Sequence, residues 1–142
     1  MYIAKLSENY VEDMHSIEKE SFPDPWSRYS ILTEFKQAVF LGAFDESGLM
    51  GYIALRDEID EGYISNIAVA KKHRRKGVGE ALLYAVKKFA AKKKYTRISL
   101  EVRAGNLAAI ALYEKAGFNA VALAWEYYTN PVENGVVMEI LL

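Results

Sequence analysis

Apolar side chains recur along this chain in two rhythms. Ala81, Leu82, Leu83, Val86 and Phe89 fall three or four residues apart and predict a helix over residues 79–92. Val11, Met14, Ile17 and Glu18 share helical spacing and predict a helix over residues 8–20, with Ser7 as its cap. Prolines at 23 and 25 must end it. Ser27 then opens a second helix to about residue 36, with Ile31, Leu32 and Phe35 on its apolar side. A fourth runs from Leu107 to Ala116, opened by Asn106 and closed by Gly117. The other rhythm is strand-like, over residues 2–6, 39–44, 49–56, 62–69, 97–102, 118–125 and 136–141. Asp45-Glu46-Ser47-Gly48 turns one pair into a hairpin, and residues 57–61 form an acidic turn. Strands grouped this way predict a mixed α/β (α+β) architecture with helices on both faces of a mixed sheet, not a doubly wound alternation.

Length and composition narrow the class. The 142 residues, 51% hydrophobic and 26% charged, suit a single globular domain spanning 1–142. There is no cysteine, hence no thiolate nucleophile and no cysteine metal site; with only His15 and His73, no metal is expected. No apolar stretch reaches membrane-spanning length, and Met1-Tyr2-Ile3-Ala4-Lys5 lacks a secretion-signal layout, so cytoplasmic residence is expected. The net charge of −1 hides a division: residues 1–66 carry 13 acidic and 5 basic side chains, residues 67–142 carry 6 and 13. A basic second half suits a polyanionic ligand, and an acidic first half suits a cationic one. Either half could also be plain solvated surface.

The most informative stretch joins strand to helix. Ile67-Ala68-Val69 leads into the basic Lys71-Lys72-His73-Arg74-Arg75-Lys76, then Gly77 and Gly79 at the start of the next helix. A helix start carries unpaired N–H groups and a partial positive charge, and glycine lets a phosphate approach the backbone. The Walker pattern is absent, and Leu82 stands where a dinucleotide fingerprint needs its third glycine. The segment fits another pattern: Arg74, two residues, Gly77, one residue, Gly79. A glycine-capped basic turn is the plain alternative.

That loop resembles the pyrophosphate loop of the GCN5-related N-acetyltransferase (GNAT) family, which binds acetyl-CoA. Leu100-Glu101-Val102-Arg103, Asn106 and the run Ala109 to Phe118, with Leu112-Tyr113 and Gly117-Phe118, resemble that family's second half. They are most similar to its ribosomal-protein-alanine N-acetyltransferase (RimI-like) group, which acetylates protein N-termini. The resemblance covers essentially the whole chain. It implies a central, mostly antiparallel mixed sheet of about seven strands. It also implies Glu101 as proton acceptor and Tyr113 as proton donor. Acetyl-CoA or coenzyme A contacts would come from Ile67, Ala68, Val69, Arg74, Arg75, Lys76, Gly77, Val78, Gly79, Glu80 and Asn106. Asp24-Pro25-Trp26-Ser27 resembles the segment beside that group's substrate entrance, so Trp26, with Tyr127 and Tyr128, is an expected border of the acceptor groove. The expected partner is a protein or peptide N-terminus, with no nucleic acid or membrane partner, and the expected state is a monomer or weak dimer. Two departures fall where acceptor contacts are expected. Glu133-Asn134-Gly135 replaces an acidic Glu-Asp-Ala stretch, and Thr129 and Asn130 separate the tyrosine pair from Pro131.

The residue chemistry agrees with these roles. Strand alternation sets Glu101 opposite Leu100 and Val102, free to take a proton if its face lines a cleft. Pairing with Arg103 or a lysine is the competing role. A tyrosine hydroxyl, of ordinary pKa about 10, is protonated at neutral pH and can donate to a leaving thiolate, of pKa about 8.5. Tyr113 could equally be a core aromatic, and Asn106 simply a cap. Backbone groups of residues 67–69 could receive a thioester carbonyl. An acetyltransferase for small amines or lysine, a silent coenzyme A sensor and a nucleic-acid binder resting on residues 71–76 and 87–97 stay open.

Overall fold

The computed structural model describes residues 1–142. Its helices are α1 (Val11–Ser21), α2 (Arg28–Glu34), α3 (Val78–Lys92) and α4 (Leu107–Lys115). Its strands are β1 (Tyr2–Lys5), β2 (Ala38–Asp45), β3 (Gly48–Asp57), β4 (Glu61–Val69), β5 (Arg97–Arg103), β6 (Asn119–Thr129) and β7 (Val132–Leu141). The strands form one seven-stranded sheet in the order β1-β2-β3-β4-β5-β7-β6. Every neighbouring pair is antiparallel except β4 and β5, which run parallel.

Two cores explain the layering. On one face, Val78, Leu82, Leu83, Val86 and Ala90 form the apolar stripe of α3 and pack on the sheet together with Tyr113 of α4. Leu82 and Leu83 are fully buried, and each such side chain contributes about 1.5–3 kcal/mol. On the other face, Met14 and Ile17 of α1 and Ile31 of α2 pack on Phe40, Tyr52 and Ala68.

The element order matches the sequence reading, and the differences are local. Residues 8–10 form a turn of 3-10 helix before α1, and Ser7 supplies its carbonyl to Tyr10 N–H, not a side-chain cap. Ser27 does cap α2, its Oγ accepting from Ser30 N–H at 3.1 Å. The last hairpin is much longer than its apolar pattern, running to Thr129 and back from Val132 across a cis Asn130–Pro131 bond.

Two irregularities position the site. β4 and β5 are paired only at Glu61–Arg97, Gly62–Ile98 and Tyr63–Ser99, and beyond these rungs they part. Next to the parting, a register shift between Ala54 and Leu55 leaves Ser65 of β4 without a partner of its own. Consecutive polar side chains, Ser65 and Asn66, therefore both turn toward α1 and α2.

Candidate active site

The parting of β4 and β5 opens a cleft of about 480 Å³. Its floor is Ile64 to Val69 of β4 and Leu100 to Arg103 of β5. Gly79, Asn106, Ala109, Leu112 and Tyr113 close one end; Phe22 to Asp24 with Trp26, and Tyr127 to Thr129, wall the other.

At the first end, the α3 start is a cradle of backbone. Gly77 takes a left-handed conformation, φ 79°, which admits glycine most easily, and Arg75 does so too at φ 61°. No side chain caps α3. The first intrahelical bond is Ala81 N–H to Gly77 O at 3.0 Å, so the N–H groups of Val78, Gly79 and Glu80 are free for a ligand. A Cβ on Gly79 would stand 3.0 Å from Leu112 of α4, so glycine lets the two helices approach.

The basic residues of this turn divide. Arg74 is already engaged: Nε donates to Val69 O at 3.0 Å, and Nη2 to Glu20 O and Ser21 Oγ at 3.3 and 3.2 Å. It ties the end of β4 to the last turn of α1. Arg75 and Lys76 are exposed and unpaired. Glu80 pairs with Lys115 at 3.2 Å on the surface. Val78 is core, and Ala68 is buried against the α1 side. Asn106 caps α4, accepting from Ala109 N–H at 3.2 Å, and also borders the cleft.

Glu101 is not paired with Arg103. Its carboxylate accepts a hydrogen bond from Tyr63 Oη at 2.5 Å, across the last rung between β4 and β5. Burial, then this carboxylate, pushes the Tyr63 hydroxyl far above the ordinary tyrosine value of 10. Tyr113 is buried, yet its hydroxyl has no protein partner; since no buried side-chain oxygen or nitrogen is left unpaired, that hydroxyl meets the cleft. Burial, with Tyr128 nearby, raises its pKa well above 10, so it stays protonated through the neutral range.

Arg103 holds the hairpin wall. Its guanidinium lies 4.4 Å over the Tyr128 ring and donates to Asn130 O, Pro131 O and Glu133 Oε1 at 3.2, 2.9 and 3.2 Å. Glu133 also accepts from Gly105 N–H at 2.7 Å. Ala124 faces Gly135 and Tyr128 faces Glu133, so Trp125, Glu126 and Tyr127 stand against Asn134 alone. Glu126 takes φ 47° in this bulge, and Gly135 leaves room for Tyr127, whose Cβ would lie 3.2 Å from an added one. The rings of Tyr127 and Tyr128 meet edge to face at 4.9 Å, and burial pushes the Tyr128 hydroxyl up to about 12.

Sequence reasoning missed Tyr63, Tyr52, Asn66 and the role of Glu18. Glu18 is 1% exposed, and its carboxylate accepts from Trp26 N–H at 3.0 Å, from Asn66 Nδ2 at 2.7 Å and from the Tyr52 hydroxyl. The available signal was an acidic residue on the apolar stripe of α1. Across the bulge, Glu34 accepts from Arg56 at 2.7 and 2.8 Å and from Ser65 at 2.6 Å. Of the charged residues lining the cleft, Glu18, Asp24 and Glu101 are acidic, and the one cation, Arg103, is committed to Glu133.

A sheet split between parallel strands, a helix start free of side-chain caps at the split, and a carboxylate and a buried tyrosine lining one cleft suit acyl transfer. Residues 11–118 match the acetyltransferase (GNAT) family, and the chain belongs to that family. It is 31% identical over 141 residues to the ribosomal protein bS18-alanine N-acetyltransferase of Escherichia coli K12, covering 97% of this chain and 95% of that protein. The crystal structure of the ribosomal-protein-S18-alanine N-acetyltransferase from Escherichia coli matches with a TM-score of 0.92 at 29% identity, over 99% of this chain and 92% of that one. An acetyltransferase from Bacillus subtilis, solved in complex with CoA, shares the fold with a TM-score of 0.86 at 18% identity, over 99% and 97% of the two chains.

Proposed function

We propose that this enzyme transfers acetyl from acetyl-CoA to the α-amine of a protein N-terminus, a ribosomal protein being the first candidate, by direct attack. A ribosomal acceptor would put the enzyme in the cytoplasm. The observation that carries the reading is the placement of Glu101 and Tyr113 on one cleft, between a backbone cradle and an acidic, aromatic wall.

The residues present fit the cofactor. The free amides of Val78, Gly79 and Glu80 suit a pyrophosphate, with Arg75 and Lys76 as its cations and Arg74 fixing the turn. The part of β4 beyond Tyr63 lacks a paired strand on the β5 side, so the backbone of residues 67–69 can hold the arm and receive the thioester oxygen. Bound acetyl-CoA supplies the acetyl group as a thioester. Glu101, held by Tyr63, takes the proton of the attacking amine, directly or through a water. An α-amine, of pKa about 7.7–8.0, asks much less of this base than a lysine at about 10.4. Tyr113 gives its proton to the sulfur as the thiolate leaves. Asp24 and Glu101 favour a cationic acceptor, and Trp26, Tyr127 and Tyr128 flank its first residues.

The test is mass spectrometry of two peptides incubated with enzyme and acetyl-CoA. One has a free N-terminal alanine and no lysine; the other has a blocked N-terminus and one lysine. Acetylation of the first alone is expected. Acetylation of the second alone would overturn the acceptor assignment while leaving the cofactor assignment standing.

A further inference from the structure

The segment between α1 and α2 forms the acceptor-side wall through Phe22, Pro23, Asp24 and Trp26. It has little of its own to hold it. Pro23 and Pro25 have no N–H to donate, and the segment is too short for a regular element. Its two backbone N–H hydrogen bonds both end on one residue. Phe22 N–H donates to the Glu18 carbonyl at 3.2 Å, and Trp26 N–H donates to the Glu18 carboxylate at 3.0 Å. Glu18 therefore closes a loop that begins one turn after it.

The same carboxylate reaches the floor. Its other oxygen accepts from the Tyr52 hydroxyl of β3 and from Asn66 Nδ2 of the β4 bulge at 2.7 Å, and Asn66 Nδ2 also lies 3.2 Å from Tyr52 Oη. Three segments thus meet on a carboxylate that is 1% exposed. Glu34, its counterpart across the bulge, has an arginine partner; Glu18 has only neutral donors. A carboxylate offers both oxygens as acceptors, whereas an amide offers one and turns an NH₂ toward the donors that remain. Burying a charge without a cation is costly, and apolar burial of α1 alone would have needed only another leucine here.

We infer that Glu18 is a positioning residue of the acceptor site: it fixes the Phe22–Trp26 wall relative to the β4 floor, and so sets how well the acceptor binds. This rests on the acetyltransferase reading above and deepens it. Glu18 does not touch the cradle of α3, so its loss should be felt by the acceptor and not by acetyl-CoA.

The experiment compares wild type with Glu18→Gln, using the free N-terminal alanine peptide and acetyl-CoA. Peptide KM, kcat, the Kd for acetyl-CoA and hydrogen exchange at the Trp26 amide are read for both. The expected result is a peptide KM raised tenfold or more, kcat within threefold, an unchanged acetyl-CoA Kd, and lost protection at Trp26 with the sheet amides still protected. An unchanged peptide KM in the folded variant would overturn the inference. So would equal losses in peptide and acetyl-CoA binding, which would mark a general loss of structure. If Glu18→Gln does not fold, Tyr52→Phe removes one tie and keeps the ring in the core; a severalfold rise in peptide KM with acetyl-CoA Kd unchanged supports the role, and no rise refutes it. If wild type modifies only another amine, the acceptor reading fails there, and the same comparison run with that amine still tests Glu18.

Discussion

The two walls at the far end of the cleft are held in opposite ways. The α1–α2 wall hangs on the Glu18 carboxylate, 1% exposed and bonded to neutral donors only. The β6–β7 wall hangs on Arg103, whose side chain is 20% exposed and whose partner Glu133 is 29% exposed. The first attachment is part of the core, and breaking it strands polar groups out of water. The second is a partly exposed ion pair and stacking contact, where water can take over some of the lost bonds. One wall is therefore fixed at the cost of stability if altered, and the other can shift with little penalty. If these walls hold the acceptor as proposed, one wall of each kind lets the site grip a common amine yet tell apart the residues following it.

Substitution can break or sharpen this contrast. The largest effect should come from the floor between the walls. Glu101→Gln should lower kcat by roughly 10²–10⁴, with acetyl-CoA binding retained in calorimetry; loss of binding would count against its role. Tyr113→Phe should act the same way at the low end of that range. Next comes Glu18→Ala, which leaves the donors of Tyr52 and Trp26 without an acceptor and Asn66 Nδ2 with only Tyr52 Oη. It should cost about 3 kcal/mol or more in urea unfolding. Arg103→Ala should cost less, about 1–2 kcal/mol, while raising peptide KM several-fold. Near-equal stability losses for these two variants would abolish the contrast between the walls. Moderate salt should weaken peptide binding by wild type in the same direction as Arg103→Ala, since the pair is partly exposed.

The smallest effect is a pH dependence. Burial pushes the Glu34 carboxyl up, but hydrogen bonds from Arg56, Ser65 and Gln37 outweigh it and hold the pKa below its ordinary 4.5. A depressed carboxyl contributes stability that is complete above the unfolded value and is lost as pH falls through the folded one. Thermal midpoints should therefore drop below about pH 4.5, and Glu34→Gln should flatten that acid limb.

Much of the cradle was legible because its chemistry is local. Gly77, Gly79 and the basic turn lie in one stretch, and the positive φ at Gly77 needs no distant partner to be expected. Glu101 was legible by alternation, and Asn106 by its place before an apolar run. Tyr63 was not: its partner lies 38 residues away, and only the parallel rung from Tyr63 to Ser99 brings the two together. Glu18 sat in plain view on the α1 stripe, but helical spacing cannot say that the bulge at Ser65 turns Asn66 to meet it. The last hairpin was read short because Asn130-Pro131 looks like a loop, and because the bulge that aims Tyr127 depends on the missing side chain of Gly135.

Arg103 grips Asn130 and Pro131 by their main-chain carbonyls. Any residue offers a carbonyl, so the hairpin tip stays docked whatever side chain position 130 carries. Libraries that randomise positions 129 and 130 should therefore return many folded enzymes with altered acceptor preference, whereas libraries at residues 18, 52 and 66 should return few. The anchoring that makes this wall yielding also makes it the part of the site most open to inventing new tastes.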